Sequence, residues 1–397
     1  MIAATEQQPA PRLGTTLSDP AGTGGVAIAD VIHDAQEASR EIASDGSTDV
    51  AARPGSLLPV LQVIPGECYE RSSARSRALV IRSVATYFAI LGALVVVDAW
   101  WLLAPLWVLA ALAVSSLFVL GHDAAHGALF DDPKRNRRYG RALMLPSLHV
   151  YESWVIGHNR IHHGHTLRQG MDFVWHPLTV EQYRALGPLA KARHRVEWSI
   201  FGAGFYYLRE VWWNKMVRFT APARYRRNVA RDERYLASLA TIAAVAAGGL
   251  GWVTSGGIGG ALWTIAKLLV VPFVGFCWTI GATVHVHHIG PGAKWWPRRS
   301  WNSFHGQVEG TTVLRVPAWL NFFLHDIFVH VPHHVDMRIP CYHLSRAAAA
   351  IVAAFPEVDD RRLRLRNYRA NTRACKLYDF EAQRWLGYAA ASRVPNG

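Results

Sequence analysis

Histidine is the residue type in this 397-residue chain whose number and spacing carry chemistry. Eighteen of its 19 histidines lie between His122 and His343, and most fall in tight groups. The first group is His122-Asp123-Ala124-Ala125-His126. On a helix, four residues turn through ~400°, so both imidazoles share one face. The second is His158-Asn159-Arg160-Ile161-His162-His163. Its spacing predicts that His158 and His162 share a face, with His163 about 100° away and able to turn toward a second metal. The third is His330-Val331-Pro332-His333-His334, where i, i+3 and i+4 are expected to converge on one face. A further run, His285-Val286-His287-His288, lies between them.

So many neutral imidazoles brought together repel on protonation and depress one another's pKa. Metal binding resolves that conflict, because neutral imidazole is the ligand form. The donors exceed what one tetrahedral or octahedral ion takes, which points to two metals. Imidazole suits zinc, copper, iron and nickel, so ligand type alone does not choose among them. Isolated histidines more often serve structure, and His33, His149, His176, His194 and His305 are read that way. His165, His325 and His343 are candidates for support behind the ligands. Asp123, Asp326 and Asp336, each near a histidine in sequence, could orient imidazoles as outer acceptors. No catalytic residue distinct from the metal ligands is expected.

These groups need elements that bring them together, and the apolar residues supply them. From Ser83 to Leu120, 38 residues carry one charge, Asp98, at the midpoint. At ~1.5 Å per residue each half reaches ~28 Å, close to a hydrocarbon core. From Leu236 to Val284, 49 residues carry one charge, Lys267, and are broken by the turn-like Ser255-Gly256-Gly257-Ile258-Gly259-Gly260. Both blocks exceed the length at which a soluble helix stays uncharged. The expected fold is an all-α integral membrane protein with four transmembrane helices as two hairpins. A cytoplasmic helical cap then holds a histidine-rich dimetal site.

Charge distribution orients this arrangement. The net charge is +13, with mean hydropathy +0.08. Residues 1–50 hold Arg12 and Arg40 against eight acidic residues, a net −6, so the rest of the chain carries +19. Every basic residue except Lys267 lies outside the apolar blocks, in segments that four crossings place on one side. The positive-inside bias makes that side cytoplasmic. A stretch such as Arg224-Tyr225-Arg226-Arg227 fits a surface facing acidic lipid. No nucleic-acid motif accompanies the charge, so no nucleic-acid partner is expected. Three parts follow: a disordered acidic tail over 1–55, a membrane domain over 56–350, and a cytoplasmic C-terminal extension over 351–397. Cys68, Cys277, Cys341 and Cys375 stand far apart, which argues against a disulfide scaffold or a cysteine-held cluster.

The ordered set His122-x-x-x-His126, His158-x-x-x-His162-His163 and His330-x-x-His333-His334 resembles the three histidine boxes of membrane fatty acid desaturases. Stretches such as Ile64-Pro65-Gly66-Glu67-Cys68 and Ile339-Pro340-Cys341-Tyr342-His343-Leu344 look most like the Δ12/ω-3 acyl-lipid branch. The resemblance covers roughly residues 59–350. It implies a centre of two non-haem iron ions, O2 as oxidant and a long-chain acyl substrate in membrane lipid. Carried over residue by residue, it makes His122, His126, His158, His162, His163, His330, His333 and His334 iron ligands. It adds His288 as a ninth, with His287 beside it in a supporting place.

One departure stands out. Box two of that branch has two residues between its first and second histidines, and this chain has three. The same centre in relatives also hydroxylates, forms ketones or makes triple bonds, so the departure bears on the product. A non-catalytic metal carrier predicts ionisable residues inside the spans, where only Lys267 is found. A zinc protease lacks its H-E-x-x-H motif here. Each double bond made with O2 takes two electrons. With no haem or cluster motif in the chain, a separate ferredoxin- or cytochrome-type donor is implied. It is expected to dock on the basic face by charge complementarity.

Overall fold

The computed structural model describes residues 55–393 apart from 173 and 392. The acidic tail expected over 1–55, with His33, therefore lies outside the described residues except for Gly55. Among the described residues, four helices are long and apolar enough to cross a membrane: α1 (Ser73–Val96), α2 (Trp100–Ala125), α3 (Arg226–Ser255) and α4 (Gly257–His288). They match the two apolar blocks and extend them by about a turn or more into the flanking polar sequence. Helix α1 packs along α2, α3 along α4, and α4 along α2.

The four helices are not equivalent. In their most apolar windows only 17% of α1 and of α3 is buried, against 61% of α2 and 39% of α4. Helix α2 is thus the central post. Helices α1 and α3 instead expose Ile81, Phe88, Val96, Ile242, Val245 and Val253. A surface of that kind is stable against hydrocarbon and not against water.

The turn between α3 and α4 needs glycine. Gly256 and Gly257 have φ of 79° and 60°, a region where a Cβ is strained. Nearby, a Cβ on Gly251 would sit 2.2 Å from the Gly260 carbonyl, so the two backbones touch only because both residues are glycine. The lone charges of the two apolar blocks find each other: Lys267 Nζ donates to Asp98 Oδ1 at 2.7 Å. A buried ammonium is tolerable there because a carboxylate partners it.

Beyond the spans, the remaining elements form one body around the histidine-bearing ends of α2 and α4. Its main core includes Phe118, Trp154, Trp175, Tyr207, Phe276 and Tyr378. The fold is mostly helical, but the expectation of an all-α chain needs correction. Two small two-stranded sheets occur near the C-terminal end. Val313–Arg315 pairs in parallel with Asp360–Arg362, and Leu377–Asp379 pairs antiparallel with Arg384–Leu386. They are too short for periodicity to reveal, and they serve as stitches. The C-terminal segment packs into the same core as the histidines: Asn371 Nδ2 donates to the Ile289 carbonyl, and Trp295 N–H donates to the Tyr378 hydroxyl.

Candidate metal centre

Each histidine cluster sits where a helix begins or ends. Helix α2 delivers His122 in its last turn and His126 at its C-cap, where Gly127 at φ 72° turns the chain away. Helix α4 ends on His288. The short helix α5 (His330–Val335) carries the third box. The second box lies on Tyr151–Trp154, which continues as a π-helix over Val155–His162.

The π-helix decides how the second box works. In an α-helix residues four apart stack; here the hydrogen bonds run i to i+5, and His163 N–H donates to the His158 carbonyl at 3.0 Å. His158 therefore stands over His163, and the expectation that it shares a face with His162 is wrong. The third box is likewise split and does not converge on one face. His330 and His334 go one way and His333 the other. The two boxes follow one rule, in which the first and last histidine point to one place and the middle one to another. The extra residue in box two is absorbed by the wider π turn.

The result is two buried groups. His122, His126, His158, His163 and His333 form one, and His162, His288, His330 and His334 form the other. Within each group the ligand-type nitrogens all lie within 4.8 Å of one another. All nine side chains expected as ligands are accounted for. In the five-histidine group, His122 Nε2 lies 2.8 Å from His158 Nε2, His126 Nε2 3.1 Å from His122 Nε2, and His163 Nε2 3.2 Å from His158 Nε2. Donors ~2.0–2.1 Å from a common ion, at right angles, stand about 3 Å apart. Lone pairs aimed at one point this closely repel unless a proton or a cation sits among them, and five nitrogens converging on one buried point fit a metal. Burial first, and the neighbouring imidazoles second, hold His126, His158, His163, His330, His333 and His334 well below the ordinary imidazole pKa. That keeps them in the ligand form.

The four-histidine group is braced from behind. His162 Nδ1 donates to Asp172 Oδ1 at 2.8 Å, and His334 Nδ1 to Gln307 Oε1 at 2.8 Å. His288 Nδ1 donates to the Gly310 carbonyl at 3.0 Å, and His330 Nδ1 to that of Ile327 at 3.2 Å. Each bond fixes the tautomer and leaves Nε2 as the ligating atom. Burial works to raise the pKa of Asp172, but the adjacent His162 outweighs it and the carboxyl is held down to about 2. Asp172 and Gln307 were not legible as site residues in the sequence. Neither sits at a helical interval from the histidine it braces, and Gln307 approaches from a different part of the chain.

Among the residues expected to give support, Asp123 is well placed. Its Oδ1 lies 3.6 Å from His122 Nδ1, and its Oδ2 accepts from the Cys341 N–H. His287 stacks on His330, with ring centres 3.8 Å apart. His165 packs against Trp301 beside Arg168. His325 serves the frame: its Nε2 meets Ser116 Oγ at 2.8 Å and Ser83 Oγ at 3.2 Å, tying α1 and α2 together. Asp326 accepts from Asn321 Nδ2 in the same tight turn, and His343 meets Tyr342 edge-on, both apart from the two groups. Asp336 binds Arg338.

Comparison with known proteins agrees with this geometry. The fatty acid desaturase family model matches residues 99–365. The chain is 30% identical to the sn-1 oleoyl-lipid 12-desaturase of Picosynechococcus sp., over 82% of this chain and 90% of that protein. It is 26% identical to the Anabaena variabilis protein of the same name, over 81% and 89%. It is 29% identical to a chloroplastic omega-6 fatty acid desaturase of Brassica napus, over 74% of this chain and 64% of that protein. The histidine groups, the apolar helices and these matches agree, and the chain belongs to the fatty acid desaturase family of oxidoreductases.

Proposed function

We propose that this enzyme inserts a double bond at carbon 12 of an oleoyl-type chain carried on a membrane lipid, using two non-haem iron ions and O2. The observation that carries the reading is the pair of histidine groups, one of five imidazoles and one of four, with their nitrogens turned inward. His122, His126, His158, His163 and His333 hold one iron; His162, His288, His330 and His334 hold the other. When bound, the metals supply the O2 activation that removes hydrogen from an unactivated methylene, chemistry no side chain performs. The chain's own residues bind the ions, keep the imidazoles neutral and bury the centre. The substrate position is drawn from the relatives' names.

The four long helices cross the bilayer as two hairpins, with the centre on the cytoplasmic side. The distribution of Lys and Arg supports that orientation. Electrons come from a separate ferredoxin- or cytochrome-type protein.

Iron analysis of the purified protein, with His162→Ala and His333→Ala, tests the centre by removing one ligand from each group. The intact protein is expected to hold two irons, and each variant to lose iron from its own group. Unchanged iron in both variants refutes the site. Mass spectrometry of the acyl product is expected to show a change of −2. A change of +16 would make the enzyme a hydroxylase, and −4 an acetylenase.

A further inference from the structure

The desaturation reading leaves open where electrons reach the buried centre. Per double bond, two C–H hydrogens, one O2, two electrons and two protons become one C=C and two waters. A one-electron carrier must therefore dock twice, close to the ligands. The segment after α4 offers such a place. Lys294, Arg298 and Arg299 are exposed on it, and Trp301 is half-buried at its end. The segment is stitched to the residues just after box two: Gln169 N–H donates to the Trp296 carbonyl, and Trp296 N–H to that of Leu167. The Arg168 guanidinium lies over the Trp301 ring at 5.5 Å.

What separates this basic surface from others on a strongly basic chain is its connection inward. Trp301 Nε1 donates to the Thr166 carbonyl at 2.8 Å. Thr166 Oγ1 donates to the carbonyl of His162 at 2.6 Å and lies 3.2 Å from His334 Nδ1. One residue, Thr166, thus links a half-buried indole to the His334 imidazole and to the backbone of His162, both in the four-histidine group. We propose that the surface formed by Arg168, Lys294, Arg298 and Arg299 docks an acidic one-electron carrier protein, and that electrons pass through Trp301 and Thr166 to the four-histidine group. Opposite charge on the carrier speeds encounter and fixes its orientation. The inference rests on the desaturase reading above.

The test is stopped-flow reduction of the iron-loaded full chain by an acidic plant-type [2Fe–2S] ferredoxin. Dithionite, a small reductant that needs no docking, is the reference for every variant. In the double variant Arg298→Glu/Arg299→Glu the ratio of ferredoxin to dithionite rate is expected to fall at least tenfold at low salt. The difference should shrink as salt shortens the screening length from ~10 Å at 0.1 M to ~3 Å at 1 M. Trp301→Leu is expected to lower the limiting rate at saturating ferredoxin and leave the half-saturating concentration unchanged. Trp301→Phe, which keeps a six-membered aromatic ring but loses the pyrrole half of the indole with its Nε1 donor, is the second variant should Leu fail to fold. A ratio within twofold of the parent in the double variant overturns the surface, as does a loss seen only in binding to anionic vesicles. A Trp301 effect confined to half-saturation overturns the path. An intact protein that binds iron, is reduced, and desaturates no lipid refutes the desaturase reading instead.

Discussion

Deleting Arg160 from the second box should leave both metal sites standing, whereas the same operation in the third box should destroy them. The contrast follows from helix type. In an α-helix, removing one residue rotates everything beyond it by ~100° and shifts it ~1.5 Å. Side chains ~5–6 Å from the axis then move about 8 Å, against a tolerance of ~0.2 Å for ligand distances. Deleting Val331 from α5 does this to His333 and His334, one ligand of each group. The second box has slack, because its π turn holds one residue more than an α turn requires. With Arg160 gone, the 3.0 Å bond from His163 N–H to the His158 carbonyl becomes an ordinary i to i+4 bond. The three histidines then keep their division between the groups. Arg160 is exposed, and its loss removes a guanidinium 5.1 Å from the Tyr225 ring centre. That contact is worth ~0.5–1 kcal/mol. Iron per chain, measured with circular dichroism as a control for folding, is the assay. Two irons are expected after deletion of Arg160, and loss from both groups after deletion of Val331. If deleting Arg160 strips iron as deleting Val331 does, the compensation argument is wrong.

Two further outcomes follow from the same structure. Asp172→Asn removes the charge behind His162 and should weaken iron in the four-histidine group 10–100-fold, ~1.4–2.7 kcal/mol; iron-57 Mössbauer spectra during a chelator titration should show that iron leaving first, and indistinguishable release from parent and variant refutes the role. Stability should also fall in mild acid. Burial lowers His149 to about 4, and burial with nearby Lys376 and Arg209 lowers His194 to about 3. The unfolded chain takes up protons at these positions below pH ~6.5. Their stabilisation is therefore complete above that pH and is lost as pH falls toward the folded values, by about 2 kcal/mol each at pH 5. His149→Gln should flatten the decline of Tm between pH 7.5 and 5, and an unchanged slope refutes the assignment.

What the sequence settled by itself rests on short-range regularities. Long runs with one charge each, Ser83–Leu120 and Leu236–Val284, can only be apolar helices, and the structure contains four of them. The histidines of three ordered boxes marked eight side chains, the family resemblance added His288 as a ninth, and all nine lie in the two groups. Which histidine joins which group was not legible, because it depends on helix type. The sequence His158–His163 does not announce a π turn, and the α-helical reading put His158 with the wrong neighbour. Nor were Asp172, Gln307 and the carbonyls of Gly310 and Ile327 visible as braces. A hydrogen bond to Nδ1 needs a suitable oxygen at the right point in space, and any stretch of backbone can supply one. His325 shows the converse: it resembles a site residue by position, yet its Nε2 is spent on Ser83 and Ser116 and its Nδ1 on Arg82. Periodicity fixes which residues share a face of one element. Only the packing of α2, α4, α5 and the second-box helix against one another decides which faces meet, and so which imidazoles come together in one group.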